Sequence, residues 1–373
     1  MSRDPDHSIL AALTSAQPIA SPTPHPHTVD EGLRAAIDGH PSLGVKGIAK
    51  LGGGQIPLYG NALERPARFR LNREEPAKVL EWLLSLGSRS SAGVRYVSEL
   101  WGIKSPPGGV VFCNGVKAMP WEELPDSRMK RHVAPSSEPL IGLGKRMGLS
   151  ALVLEREESA GSQNSVAVSE ISEVARALNI IPDTATTMGV RYCEFLDPDL
   201  EIALAGAYLT HPPTQHLREA WLFNGCTGDA CEFVDAFLKL ETGKVRNSIS
   251  YALDALGRAK RGHDDSRAIE CCTCLDAIFG SLGGESTYRV QVRAAVRLAV
   301  DLAEGKVIAK HVEQLFNDRN KLVHGKENHL SNKLGERIAM AIGYCERALR
   351  MAVQDGSVHH SVDDDLRHFI KVN

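Results

Sequence analysis

Arg319, Asn320 and His324 stand in the stretch Leu315-Phe316-Asn317-Asp318-Arg319-Asn320-Lys321-Leu322-Val323-His324-Gly325. Together they offer a fixed cation, an amide and a titratable imidazole, the groups that metal-free cleavage of a phosphodiester would use. Read as a helix, Val312, Leu315, Phe316, Leu322 and Val323 recur at steps of three and four and form one apolar stripe. Arg319 falls inside that stripe, where a guanidinium needs a carboxylate or a phosphate to receive it. Asn320 and His324, four apart, share the neighbouring face. Gly325 can take positive φ and so end the helix, placing the imidazole in its last turn at the carbonyl end.

The elements that must position this stretch are helices. From Thr214 onward the chain shows nearly unbroken helical periodicity, with expected helices at 214–224, 229–241, 244–260, 265–282, 286–304, 307–324 and 328–354. Breaks fall at Gly225, Gly243, Gly262, Gly283-Gly284 and Gly305. Short connections between successive helices predict an all-α bundle over 214–354, followed by a tail, 355–373, with a short helix at 363–371.

The region before it has a different texture. Residues 1–27 hold five prolines and three histidines with little apolar pattern, and read as a disordered arm. Residues 28–213 read as a mixed α and β region of no nameable fold. Thr28 and Glu31 match a capping box, and Glu74 to Leu86 reads as a helix with Pro76 in its first turn. Val110–Cys113 and Val116–Met119 flank Asn114-Gly115, a hairpin signal in which both turn positions would take positive φ. Ala151–Leu154 reads as a strand, Val168 to Leu178 as a helix, and Pro182 to Gly189 as loop. The fold class expected is thus an α+β N-terminal region followed by an all-α C-terminal domain.

Composition sets bounds. The formal charge of the 373 residues is −3, yet Glu241 to Gln354 carries 18 Lys and Arg against 14 Asp and Glu, so this part tolerates a polyanion without announcing one. The eight cysteines follow no disulfide framework, and no apolar run reaches the roughly 20 residues of a membrane span, so a reduced cytoplasmic protein is the expectation. Cys271-Cys272-Thr273-Cys274 sits inside an apolar helix, where thiols act as small hydrophobes; neither a metal site nor a cofactor is expected. Gly142-Leu143-Gly144-Lys145 lacks the first Gly and the Ser or Thr of a phosphate loop. His211 and His216 read as loop residues, and His359-His360 as part of a solvated tail.

The bare Arg-x-x-x-x-His spacing is common, and Arg258 to His263 repeats it across Gly262 without the Asn or the apolar pair. The copy at 319 has a helix in a bundle, Asn directly after Arg, Leu-Val before His and Gly after it. Arg319-Asn320-Lys321-Leu322-Val323-His324-Gly325 thereby resembles the signature of the HEPN superfamily. Leu275-Asp276-Ala277-Ile278-Phe279, Glu285-Ser286-Thr287-Tyr288-Arg289-Val290 and Arg293-Ala294-Ala295 are similar to the ApeA-like HEPN branch, with Asp276 where that branch usually carries Glu. The resemblance covers roughly residues 229 to 354.

The resemblance implies a metal-independent endoribonuclease that dimerises to bring two motif helices together, with a role in antiviral or stress defence. On an ideal helix, positions five apart diverge by about 140°, so convergence of Arg319 and His324 needs a groove shared by two protomers or a helix end loosened at Gly325. In this reading His324 is the general base or acid on the ribose 2′-OH or the leaving 5′-oxygen. Arg319 stabilises charge on the phosphorane, Asn320 orients His324 or holds a phosphate oxygen, and Asp276 and Glu285 support Arg319. The products would be a 2′,3′-cyclic phosphate and a 5′-hydroxyl. Two other readings stand beside it. Arg319 could pair with Asp276 or Glu285 merely to lock the bundle, leaving a catalytically inactive dimerisation or protein-binding module. The domain could also partner a nucleotidyltransferase or toxin. The run Arg258-Ala259-Lys260-Arg261 reads as a solvated helix end or as a track for an RNA backbone.

Overall fold

The computed structural model describes residues 4–15, 31–41, 75–88, 91–133, 150–159, 165–197, 207–208, 228–280, 286–325 and 333–358. Thr28, Glu285, the expected helices at 214–224 and 363–371, the Gly142 loop, and His211, His216, His359 and His360 lie outside these residues.

The N-terminal region is α+β, built on an antiparallel sheet. Its strands are β1 Ser91–Trp101, β2 Val110–Val111, β3 Lys117–Pro120, β4 Ser150–Ser159, β5 Thr187–Phe195 and β6 Ala207–Tyr208, in the spatial order β2-β3-β4-β1-β5-β6. The central strand β1 pairs with β4 from Ser91↔Ser159 to Leu100↔Ser150, and with β5 from Val94↔Phe195, with a register shift between Ser98 and Leu100. Alternation gives the sheet two faces. Ala92, Val94, Tyr96 and Leu100 join Leu152, Leu154, Cys193 and Phe195 in the main core. Val97, Ala151, Val153 and Tyr192 face the other way, into a smaller core with Met119, Trp121, Leu124 and Met129. Arg95 on that second face reaches Glu155 at 2.6 Å and Glu194 at 2.8 Å, tying the three central strands together.

The Asn114-Gly115 hairpin is present, with Val110↔Ala118 and Val111↔Lys117 paired. Its turn differs from the expected one. Only Gly115 takes positive φ (84°), and Asn114 instead turns its side-chain oxygen to the Val116 N–H at 3.2 Å. The extra residue is absorbed as a bulge of the kind that places Gly in the left-handed position.

Helices cover the main-core face. They are α1 Pro5–Ser15, α2 Glu31–Asp38, α3 Pro76–Ser88 and α5 Ser165–Ala177, while α4 Arg128–Val133 contributes Met129 to the smaller core. Residues 5–15 were expected in a disordered arm. Asp4 accepts the Asp6 N–H, Pro5 fits the first helical position, and Ile9 and Leu13 are fully buried, so this short segment gains enough apolar burial to hold a helix.

The C-terminal region is helical: α6 Gly228–Leu238, α7 Lys244–Arg261, α8 Asp264–Phe279, α9 Ser286–Leu298, α10 Leu302–Val323 and α11 Leu334–Asp355. The expected break at Gly305 is displaced. Asp301 caps α10 by accepting the Glu304 N–H at 2.8 Å, and Glu304 returns to the Val300 N–H at 2.7 Å, so Gly305 lies inside the helix. Arg347 on α11 holds this corner through Glu304 at 3.0 Å and the Leu298 carbonyl.

The two regions share the main core. Helix α7 packs so closely on the turn after α5 that a Cβ at Gly257 would stand 2.6 Å from Asn179 Nδ2. Lys260 and Arg261, expected on a solvated helix end, are instead drawn into this seam. Lys260 donates to the carbonyls of Asn179 and Ile181 and pairs with Glu346, while Arg261 donates to the Thr186 carbonyl. Burial lowers the Lys260 pKa, and Glu346 opposes that shift. Among the described residues no helix is long and apolar enough to cross a membrane.

Candidate functional site

Helix α10 carries the Arg-Asn-x-x-x-His stretch in its final turns. Val312, Leu315 and Phe316 are buried as the apolar pattern requires. The next inward position, however, belongs to Asp318 and not to Arg319. Asp318 is 1% exposed and receives Arg337 from the first turn of α11, with Lys321 Nζ 3.7 Å from its other oxygen. Arg319 is exposed, and its Nη1 donates to Asn320 Oδ1 at 3.2 Å. The expectation that Arg319 sits on the packing face is therefore corrected. The physical reason is the cation presented by α11, which makes a carboxylate the favoured buried group and turns its neighbour, about 100° further round the helix, toward water.

The end of the helix follows the expected geometry. His324 is the C-cap residue at φ −95° and ψ 11°, with its N–H donated to the Asn320 carbonyl at 3.1 Å. Gly325 follows at φ +66° and donates to the Leu322 carbonyl. Arg319, Asn320 and His324 all reach solvent at this end, as does Val323, which is 56% exposed.

Asp276 is on the neighbouring α8, exposed, with its carboxylate folded back over Gly280, where a Cβ would meet Oδ1 at 2.4 Å. Among the described residues it makes no ion pair with Arg319. Both charges bear on one thiol of α8. The buried Cys272 thiol on α8 is pushed well up, first by burial and then by Cys271, with smaller contributions from Arg319 downward and from Asp276 and Asp318 upward. Glu285, the other expected support, lies outside the described residues.

Arg293, from the Arg-Ala-Ala segment, is buried and caps α8, donating to the carbonyls of Phe279 at 2.7 Å and Gly280 at 3.1 Å. The second Arg-x-x-x-x-His copy is divided between two helices: Arg258 on α7 is held by Glu270, and His263 is the N-cap residue of α8. Cys271, Cys272, Cys274 and Cys345 are buried thiols, and among the described residues no three His, Cys, Asp or Glu side chains are grouped to hold a metal ion.

Asp318 and Arg337 are the residues that sequence reasoning passed over. Asp318 stands next to the motif Arg and three before Lys321, spacing that resembles an ordinary exposed helical ion pair. Its partner Arg337 lies 19 residues on, in another helix, beyond the reach of local spacing. Compared with known protein families, curated proteins and solved structures, the chain matches none.

Proposed function

We propose that the helical region is a HEPN-like, metal-independent endoribonuclease acting as a homodimer, which cleaves RNA by 2′-OH attack to leave a 2′,3′-cyclic phosphate and a 5′-hydroxyl. The observation that carries this reading is the exposure of Arg319, Asn320 and His324 together at the end of α10, while Asp318 takes the inward ionic role. Among the described residues Arg319 has no ion pair, so its guanidinium is available to an incoming phosphate.

In this reading Arg319 offsets charge developing on the phosphorane oxygens, held in place by the Asn320 side-chain oxygen. His324 moves the proton between the 2′-OH and the leaving 5′-oxygen, the role its imidazole can fill without a metal. The two side chains diverge along one helix, so a second protomer supplies the complementary pair across a shared groove. The RNA-binding and defence roles rest on the motif resemblance.

The test is cleavage of a structured RNA pool by the purified full chain in EDTA, for wild type, His324→Ala and Arg319→Ala, with folding and oligomeric state checked in parallel. Expected are cyclic-phosphate ends from the wild type and a rate loss of about 10² or more in each variant. No wild-type cleavage, or cleavage that survives both substitutions, would sink the reading in favour of a HEPN-like protein-binding module or a toxin partner.

A further inference from the structure

We propose that the Asp318–Arg337 pair is the positioning element of the α10 end, fixing its rotation so that Arg319 faces solvent. The functional half of this inference rests on the ribonuclease reading; the structural half does not. The apolar residues of α10 do not choose this rotation by themselves. Leu315 and Phe316 lie four and three positions before residue 319, and Leu322 and Val323 lie three and four after it, so the stripe they define is centred on Arg319. Seated on that stripe alone, the last turns would bury Leu322 and Val323 and draw Arg319 inward.

The observed packing is turned away from that arrangement. Val312, Leu315 and Phe316 are buried, but the next buried residue is Asp318, Leu322 is only half-buried, and Val323 is left in water. What selects this rotation is the charge pair. Arg337 enters from α11 beside Asp318, and Lys321 adds a second cation on the same helix. A carboxylate with two cations can be buried here. Arg319, which has no ion pair among the described residues, belongs in water, and one exposed valine is the smaller penalty.

The test reads the rotation directly by labelling the full chain with phenylglyoxal, an arginine-selective dicarbonyl, and following Arg319 by peptide mass spectrometry. Wild-type Arg319 should label readily. Arg337→Met, which leaves the buried Asp318 carboxylate with only the more distant Lys321 at 3.7 Å, should slow that labelling several-fold. The double variant Asp318→Leu/Arg337→Met, which again favours residue 318 inside, should restore it. Arg337→Lys, keeping charge without the planar fork, should fall between and serves if Arg337→Met does not fold.

In RNA cleavage, kcat should follow the labelling rate across the series while KM changes little. Wild-type labelling rates in folded Arg337→Met, or in Arg337→Lys where the former does not fold, would overturn the inference. So would a double variant as slow as the single. Labelling that behaves as expected without any wild-type cleavage would leave the positioning intact and remove the ribonuclease reading.

Discussion

Lys260 Nζ stands 2.7 Å from Glu346 Oε1 on α11, and the same ammonium donates to the carbonyls of Asn179 and Ile181, each also at 2.7 Å. Two carbonyl acceptors and one carboxylate charge thus surround the buried ammonium. A buried pair of this kind adds little over a well-packed apolar pair but is costly to break from one side. Lys260→Met should therefore destabilise the chain by about 3–5 kcal/mol in urea denaturation. A loss below about 1 kcal/mol would mean that solvent reaches Glu346 and the two carbonyls.

Gly257 makes a second prediction in the same seam. Its missing side chain leaves room for Asn179, whose Oδ1 accepts the Thr186 N–H at 2.9 Å. Gly257→Ala should cost about 1–3 kcal/mol despite the better helix propensity of alanine. Combined with Asn179→Ala it should cost clearly less than the sum of the two single changes. Strict additivity in thermal melts would place the obstruction elsewhere.

The α9–α10 corner predicts a pH effect. The Val300 N–H and then Arg347 hold the Glu304 carboxyl below the ordinary carboxylate range. A depressed acid contributes stability that is fully present above its ordinary pKa and is lost as pH falls through the lower folded value. Glu304→Gln should thus melt below wild type at neutral pH, and the gap should close in acid. A gap of constant size down to strongly acidic pH would assign the effect to shape, not charge.

Exposure of the motif predicts that its removal is nearly silent for stability. Arg319→Ala and His324→Ala should each stay within about 0.5 kcal/mol of wild type by chemical denaturation. Had Arg319 been packed in the stripe its loss would cost several times more, so this measurement separates the two orientations before any RNA is added.

How far the sequence disclosed this arrangement depended on the range of the interactions involved. Helices α7, α8 and α11 were legible because their apolar positions and breaks are local. Strands β1 and β5 escaped notice. Arg95 and Glu99 interrupt the apolar look of β1, and the Arg95 partners are Glu155 and Glu194, some 60 and 99 residues away. The α9–α10 break was assigned to Gly305 because glycine is the louder signal, while Asp301 and Glu304 formed the actual cap. At the candidate site the residues Arg319, Asn320 and His324 were evident from type and spacing, but which face Arg319 occupies was settled by Arg337, which no local pattern connects to it.

Helix α11 is linked to the sheet-bearing region by Glu346 through Lys260, whose ammonium also holds the Asn179 and Ile181 carbonyls, and to the candidate site by Arg337. The two contacts lie about 13.5 Å apart along one uninterrupted helix. Such a segment resists compression and bending, and close-packed interiors transmit displacement instead of absorbing it. The turn around Asn179 and the last turns of α10 are thus mounted on a common strut: whatever shifts one end axially is felt at the other.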